Sequence, residues 1–216
     1  MLITTHQYLD KYPVPSKAKK LILGTIHPHF HDEFRLPFFY GNEVSLWKIF
    51  GQAFPSELSD PLSLDSITKF LDERDLALSD TIISCRRLSP TALDKDLEII
   101  SDNKERLFKA IAESDITEVI CTSGFGKNNA FKIFYNQFLG LPMTAEIRRT
   151  RQAYATIPGS AKRILIRALY SPSRTAITGI GKSQGYKAVK HEMTVTQYRV
   201  SLYRSVFGEH AKLEEQ

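Results

Sequence analysis

Residues 20–24, with the sequence KLILG, decide how the rest of the chain is interpreted. Leu21, Ile22 and Leu23 form an unbroken apolar run, and Gly24 ends it. A short apolar run without polar alternation predicts a strand that is buried on both faces, as the strands of parallel sheets are. We therefore expect a central parallel strand here, in a sheet that helices cover on both sides.

Strands and helices alternate along the remainder of the chain. Short apolar runs predict further strands at residues 81–85, 118–122 and 163–169. Apolar residues at helical spacing predict helices at residues 44–54, 63–71, 104–113, 128–139 and 194–206, and residues 147–157 are expected to add an antiparallel piece. This alternation predicts an α/β fold, a three-layer α/β/α sandwich with a short, mainly parallel central sheet. No repeat or linker divides the sequence, so we expect a single domain over residues 1–216.

The composition excludes several classes of protein. The chain has 216 residues, of which 42% are hydrophobic and 25% charged, as in ordinary globular domains. Cys85 and Cys121 are the two cysteines, which excludes a disulfide framework and a four-cysteine metal site. No apolar run reaches the roughly 18 residues that a membrane span needs, and no signal peptide is evident. We expect a cytoplasmic protein that does not contact a membrane.

The net charge of +5 is unevenly distributed along the chain. Residues 145–190 contain ten Lys or Arg and one acidic residue, so this basic block carries +9 and the rest of the chain −4. Such a block is typical of a solvated face, and also of a surface that contacts phosphates. Tyr154, Tyr170, Ser171 and Ser173 lie within it, as on a nucleic-acid-binding surface.

The loop after residues 20–24 carries three histidines at alternate positions, His27, His29 and His31. In an extended segment they would point to one side, an arrangement that suits metal ligation. Pro28 and the acidic residues that follow favour a loop, and loops after parallel strands carry the working groups of α/β proteins. A metal site, a catalytic loop and a solvated turn all remain possible interpretations.

Five segments, in this order and spacing, resemble the uracil-DNA glycosylase superfamily. They are LILGTIHP (21–28), LPFFYGNEVSLWKIFG (36–51), LALSDTIISCRR (76–87), EVICTSGFG (118–126) and ILIRALYSPSRTA (164–176). The resemblance is nearest to the branches that handle deoxyinosine or mismatched uracil. It implies a base-excision-repair enzyme that flips a deaminated base, uracil or hypoxanthine, out of damaged or mismatched DNA and hydrolyses its N-glycosidic bond. It also implies a monomer without a cofactor or metal.

The resemblance further implies roles for residues of the first three segments. His27 stands where the family places a residue, commonly Asp or Asn, that orients the attacking water. Phe39 or Tyr40 matches the aromatic residue that stacks on the flipped base, with Asn42 nearby. Asp80 matches the polar residue that reads the base edge.

The last segment is expected to contact DNA and the departing base. Tyr170 belongs to the loop that enters the minor groove, at a position where several relatives carry a His. Ser171 and Ser173 are predicted to stabilise the departing base, as catalytic residues beside His27. Three basic residues of the basic block are predicted to bind DNA phosphates: Arg163, Arg174 and Lys182.

Two other functions stay open on the sequence alone. A chain with this fold would bind nucleic acid without catalysis if His27, in place of the Asp or Asn that is common in the family, abolished activity. A metal-dependent hydrolase would instead use the HPHFH segment, residues 27–31, as its metal site.

Overall fold

The apolar run at residues 20–24 forms β2 (Lys20–Gly24), an inner strand of a five-stranded sheet. The structure, a computed structural model, describes residues 2–43, 45–88 and 93–208, and of His31 only the backbone. The other strands are β3 (Leu76–Asp80), β6 (Glu118–Cys121) and β8 (Arg163–Ala168), which run parallel to β2, and β7 (Gln152–Thr156), which is antiparallel to β8. The strand order is β3-β2-β6-β8-β7.

Helices cover both faces of this sheet because its strands are apolar on both faces. Leu21 and Leu23 of β2 pack into one half of the core, and Ile22 packs into the other. The first half contains α3 (Lys104–Ala112) and a wide-turn helical segment, Lys132–Phe138. The second half contains α1 (Ser45–Ala53), α2 (Leu64–Glu73) and α7 (Val195–Gly208). The prediction of an α/β fold with a mostly parallel sheet between helices is confirmed.

A second, antiparallel sheet is a feature that the sequence did not predict. It contains β1 (Leu2–Thr5), β4 (Ile82–Arg87) and β5 (Leu97–Asp102), in the order β1-β4-β5. The strand predicted at residues 81–85 is therefore β4 of this sheet, and the neighbour of β2 is the preceding segment, β3. Only Thr81 separates the two segments, without a Gly or Pro to mark the boundary, so the sequence does not show where the chain leaves one sheet for the other. The transition is at Thr81, whose backbone N–H donates to the Gly24 carbonyl at 3.0 Å.

The remaining predicted elements lie close to their expected positions. The antiparallel piece expected within residues 147–157 is β7, which follows α4 (Ala145–Thr150). Two further short helices precede α7, namely α5 (Ala176–Gly181) and α6 (Gln184–Val189). In the part of the chain that the structure describes, no helix is both long and apolar enough to cross a bilayer.

The start of α2 offers a direct test of the link between sequence and structure. Ser63 caps this helix by accepting a hydrogen bond from the Ser66 backbone N–H at 3.3 Å. We expect Ser63→Ala to lower the free energy of unfolding by about 1 kcal/mol, since the cap is lost. Denaturant unfolding measures the change, and Ser66→Ala on the same helix is the control that should stay within experimental error. Equal effects of the two substitutions would contradict the capping role.

Candidate functional site

A cleft of about 800 Å³ opens at the carboxyl ends of the four parallel strands. The loops that follow β2, β6 and β8 contribute to its lining, and β3 contributes its last residue, Asp80. This is the edge at which open α/β sheets bind ligands, because helices leave it uncovered and backbone groups point into it. The volume suits a ligand of the size of one nucleotide.

Gly24 at the end of β2 sets the floor of the cleft. A Cβ atom at this position would lie 2.2 Å from Oδ1 of Asp80 and 2.6 Å from the Tyr40 hydroxyl oxygen. Both distances are shorter than any van der Waals contact, so only glycine lets these two polar groups approach the strand. The residue that ends the apolar run of β2 is thus also the residue that allows the site to form.

Asp80, at the end of β3, is held by His6. His6 Nε2 lies 2.8 Å from Asp80 Oδ2, and His6 Nδ1 accepts a hydrogen bond from the Tyr8 backbone N–H at 3.0 Å. Nδ1 is therefore unprotonated, and a neutral His6 donates from Nε2 to the carboxylate. Asn103 donates to the Asp80 carbonyl at 2.8 Å. The predicted base-reading residue lines the cleft in a fixed orientation.

His27 lines the cleft, but the protein already uses both of its ring nitrogens. Nδ1 donates to the Pro28 carbonyl at 2.6 Å, and Nε2 accepts from the Gln7 backbone N–H at 3.1 Å. The ring is 5% exposed and packs against His6 and Phe34. Since its single lone pair points at Gln7, His27 would have to break this hydrogen bond before it took a proton from water.

The two candidate aromatic residues of the second segment lie in different surroundings. Tyr40 lines the cleft, and its hydroxyl group forms a hydrogen bond of 2.7 Å with that of Thr122. Phe39 is 2% exposed and packs among core aromatic rings that include Trp47 and Tyr8. The Phe39 ring is therefore not available to stack on a base, and only Tyr40 of the pair fits that prediction. Asn42 lines the cleft as well.

The loop after β8 forms one wall of the cleft, with Tyr170, Ser171 and Ser173 in its lining. The Ser171 hydroxyl group donates to that of Ser173 at 3.1 Å. Two residues of α7 hold this loop from behind: Arg199 donates to the Ser173 carbonyl at 3.0 Å, and Tyr203 donates to the Tyr170 carbonyl at 2.9 Å. The wall is thus supported by the final helix of the described chain.

The residues of the basic block lie at two opposite edges of the sheet in the structure. Arg174 lines the cleft, and Lys182 is exposed at the end of α5, which starts in that lining. Arg163 begins β8 and so lies at the opposite edge of the sheet, where its guanidinium covers the Tyr154 ring at 4.7 Å. Lys162 is at that edge too, bonded to the Ile111 carbonyl. Arg163 is therefore misplaced for a phosphate contact beside the cleft.

Asp94 is a cleft residue that the sequence did not identify. It sits in a short 3-10 turn, Asp94–Asp96, and the Thr25 hydroxyl group donates to its carboxyl group at 3.2 Å. Burial raises the pKa of Asp94 to about 7, although hydrogen bonds from Thr25 and Ser123 lower it. A carboxyl group with this pKa exchanges protons at neutral pH. The surrounding sequence, TALDKDLE, carries no signal that distinguishes it from other surface acids.

Arg151 and Phe125 are also cleft residues without a predicted role. In the sequence, Arg151 is one of the ten basic residues of the basic block, and Phe125 belongs to the segment EVICTSGFG, residues 118–126. The Arg151 guanidinium lies 5.1 Å from the centre of the Phe125 ring and 4.2 Å from that of Tyr170. No local pattern predicts this arrangement, because it joins the ends of α4, β6 and β8.

The metal hypothesis for the HPHFH segment finds little support. The His31 side chain lies outside what the structure describes. Among the described residues, no group of three or more His, Cys, Asp or Glu is placed to hold a metal ion. His29 Nδ1 instead lies 3.1 Å from the Thr4 hydroxyl oxygen, and both nitrogens of His27 are in use.

Comparison with known proteins finds similar chains among the solved structures. No family model matches the chain, and no curated protein matches it. The fold is similar to a solution NMR structure from Methanosarcina acetivorans whose printed description is "a putative Uracil DNA glycosylase". The two chains are 13% identical with a TM-score of 0.45, and the match covers 95% of this chain and 99% of the other.

The raised pKa of Asp94 predicts a pH-dependent stability. Folding favours the protonated carboxyl group, so its contribution is complete below pH 3.8, the ordinary pKa, and is lost as the pH rises through about 7. Asp94→Asn mimics the neutral form. We expect the variant to gain stability over the wild type between these pH values, by up to about 4 kcal/mol. Denaturant unfolding across this range tests it, and a difference that does not change with pH would contradict the raised pKa.

Proposed function

We propose that the chain is a DNA glycosylase-like protein that hydrolyses the N-glycosidic bond of a deaminated base, uracil or hypoxanthine, flipped into the cleft. The cleft itself carries this proposal. It combines the volume of one nucleotide with aromatic rings and with carboxyl groups that include Asp80 and Asp94, whose environments differ. Enzymes that act on a base within DNA need this combination, because the base must leave the stack and be held by stacking and by hydrogen bonds.

Asp80 suits the recognition of deaminated bases. Uracil and hypoxanthine present a ring N–H beside a carbonyl group, where cytosine and adenine present a lone pair. A carboxylate accepts a hydrogen bond from that N–H and repels the lone pair. His6 and Asn103 hold Asp80, and Tyr40 lines the same floor. Deamination would thus convert a repelled base into a bound one.

The proton transfer fits Asp94 better than His27. In the reaction the electron pair of the C1′–N bond passes to the base, the oxygen of a water bonds to C1′, and a proton leaves that water. A group that accepts this proton works best when its pKa is near the ambient pH, and that of Asp94 is about 7. His27 has the role of positioning the first loop through its bonds to Pro28 and Gln7.

The last loop is proposed to meet the DNA. Tyr170, Ser171 and Ser173 form the wall of the cleft, and Arg174 extends from it with a side chain that is 90% exposed. Its guanidinium lies 4.0 Å from Glu43, a loose pair that a phosphate group can replace. Positive charge beside an aromatic cleft is typical of sites that hold a single flipped nucleotide.

Base release is the decisive test of the enzyme. Oligonucleotides that contain uracil, hypoxanthine or xanthine are incubated with the protein, and abasic sites are then cleaved with alkali. We expect strand cleavage with uracil or hypoxanthine, also in the presence of EDTA, and none with undamaged DNA. Asp94→Asn is expected to slow release about 10²- to 10⁴-fold, because the proton acceptor is lost.

His27→Ala is the matched comparison for the proton acceptor. We expect a smaller loss than for Asp94→Asn, since His27 positions the loop rather than moving the proton. A larger loss for His27→Ala than for Asp94→Asn would indicate that His27 accepts the proton. Activity that disappears with EDTA and returns with zinc would favour the metal-dependent hydrolase.

A catalytically silent DNA-binding protein is the second candidate, favoured by the engaged nitrogens of His27. It would bind the same oligonucleotides, release no base and show no difference between wild type and Asp94→Asn. DNA affinity is expected in both cases.

The salt dependence of that affinity tests the position of the DNA. Affinity should fall linearly on a log–log scale, with a slope of about −0.7 to −0.9 for each phosphate contacted. Arg174→Ala and Lys182→Ala should each weaken binding and reduce the slope by about 1. Arg163→Ala, at the opposite edge of the sheet, is the control and should leave binding unchanged. Binding that is insensitive to salt, or that depends equally on Arg163, would place the DNA elsewhere.

A further inference from the structure

Arg151 is fixed in the cleft by its own backbone and by the end of β8. It ends α4 in the left-handed conformation, with φ of 59°. Its Nε donates to the Ala168 carbonyl at 2.8 Å, and its Nη2 donates to that of Leu169 at 3.2 Å. The guanidinium is therefore oriented before any ligand enters.

The positive charge of Arg151 has no acidic partner among the residues that the structure describes. Across residues 2–43, 45–88 and 93–208, no carboxyl group forms an ion pair with Arg151. Two other half-buried arginines do have one: Arg167 pairs with Glu118, and Arg74 pairs with Glu57. Two carbonyl groups occupy Nε and Nη2, while Nη1 makes no hydrogen bond to a described residue. A fixed cation that lines a cleft and keeps an unused N–H group is suited to an anion.

The surroundings of Arg151 strengthen the interaction between its charge and a ligand. Phe125 and Tyr170 flank the guanidinium, and burial lowers the pKa of Arg151, although a guanidinium stays protonated in proteins. Aromatic rings exclude water, and charges interact more strongly where water is excluded. The same rings can stack on a planar ligand that reaches Nη1.

We propose that Arg151 is the anion site of the cleft and that it stabilises the negative charge of the departing base. This inference rests on the proposed function, because it assigns a catalytic residue to the same cleft. When the C1′–N bond breaks, its electron pair spreads from the ring nitrogen onto the carbonyl oxygens of the base. Arg151 Nη1 donates to one of these oxygens, while water adds to C1′ and its proton passes to Asp94. Both groups border the loop after β6: Ser123 contacts Asp94, and Gly124 lies against Arg151.

The rate of base release separates charge stabilisation from mere positioning. Arg151→Gln should slow single-turnover release of uracil about 10²- to 10³-fold, the usual cost of one lost donor to a developing anion. The loss should be smaller on DNA with 5-fluorouracil, because fluorine stabilises the anion without the enzyme. Arg151→Lys should lose less than Arg151→Gln, since it keeps the charge. Arg149→Gln, on the exposed end of α4, is the matched control and should leave both rates unchanged. Equal losses on the two bases, or no loss, would overturn the proposal.

Binding of the free base keeps the inference testable if the wild type releases no base or Arg151→Gln fails to fold. At mildly alkaline pH, 5-fluorouracil is partly anionic and uracil is neutral. We expect 5-fluorouracil to shift the NMR signal of the Arg151 Nε–H group in the wild-type protein, and uracil to shift it far less. That result without base release would sink the proposed enzyme and keep the anion site. Base release without a shift by 5-fluorouracil would support the proposed enzyme and contradict the role of Arg151. A signal that shifts with inorganic phosphate but not with 5-fluorouracil would also contradict that role.

Discussion

The close approach of Asp80 and Tyr40 to Gly24 is the constraint on which the cleft depends. Parallel pairing of β2 with β3 places Gly24 opposite Asp80, so the carboxyl group of one strand lies over the last residue of the next. Any side chain at Gly24 would occupy the space that the carboxylate and the phenol share. The floor of the site therefore depends both on the register that pairs β2 with β3 and on glycine at position 24.

The parts of the fold that follow from local pattern could be predicted from the sequence, and those that follow from distant contacts could not. β2, β6 and β8 are apolar runs, and α3 and α7 have helical spacing, so the sequence predicts their positions. The division between β3 and β4 cannot be predicted because Thr81 alone separates the two strands, and the change of sheet there depends on backbone hydrogen bonds to Gly24 and Thr25.

The same limit applies to the candidate site. Phe39 and Tyr40 are adjacent aromatic residues, and only the backbone decides which of them reaches the cleft. Tyr40 has φ of 56°, a left-handed conformation within a tight turn, and its side chain packs against the core that buries Phe39 while it also lines the cleft. Arg163 and Arg174 belong to one basic block in the sequence, but β8 separates them because a strand carries its two ends to opposite edges of the sheet.

Burial, rather than the local sequence, gives Asp94 and Arg151 the pKa values that matter in this cleft. Both are ordinary charged residues whose charge is disfavoured by the same enclosure, which raises the pKa of Asp94 and lowers that of Arg151. The outcome differs because a carboxyl group can become neutral near pH 7, whereas a guanidinium cannot. One wall of the cleft therefore holds a group that exchanges a proton, and another holds a permanent positive charge. A ligand that becomes anionic as it reacts is stabilised by the second group without being repelled by the first, provided that Asp94 is protonated when the anion forms. In the proposed reaction the attacking water gives its proton to Asp94 in the same step, so the two residues would act together on one bond cleavage.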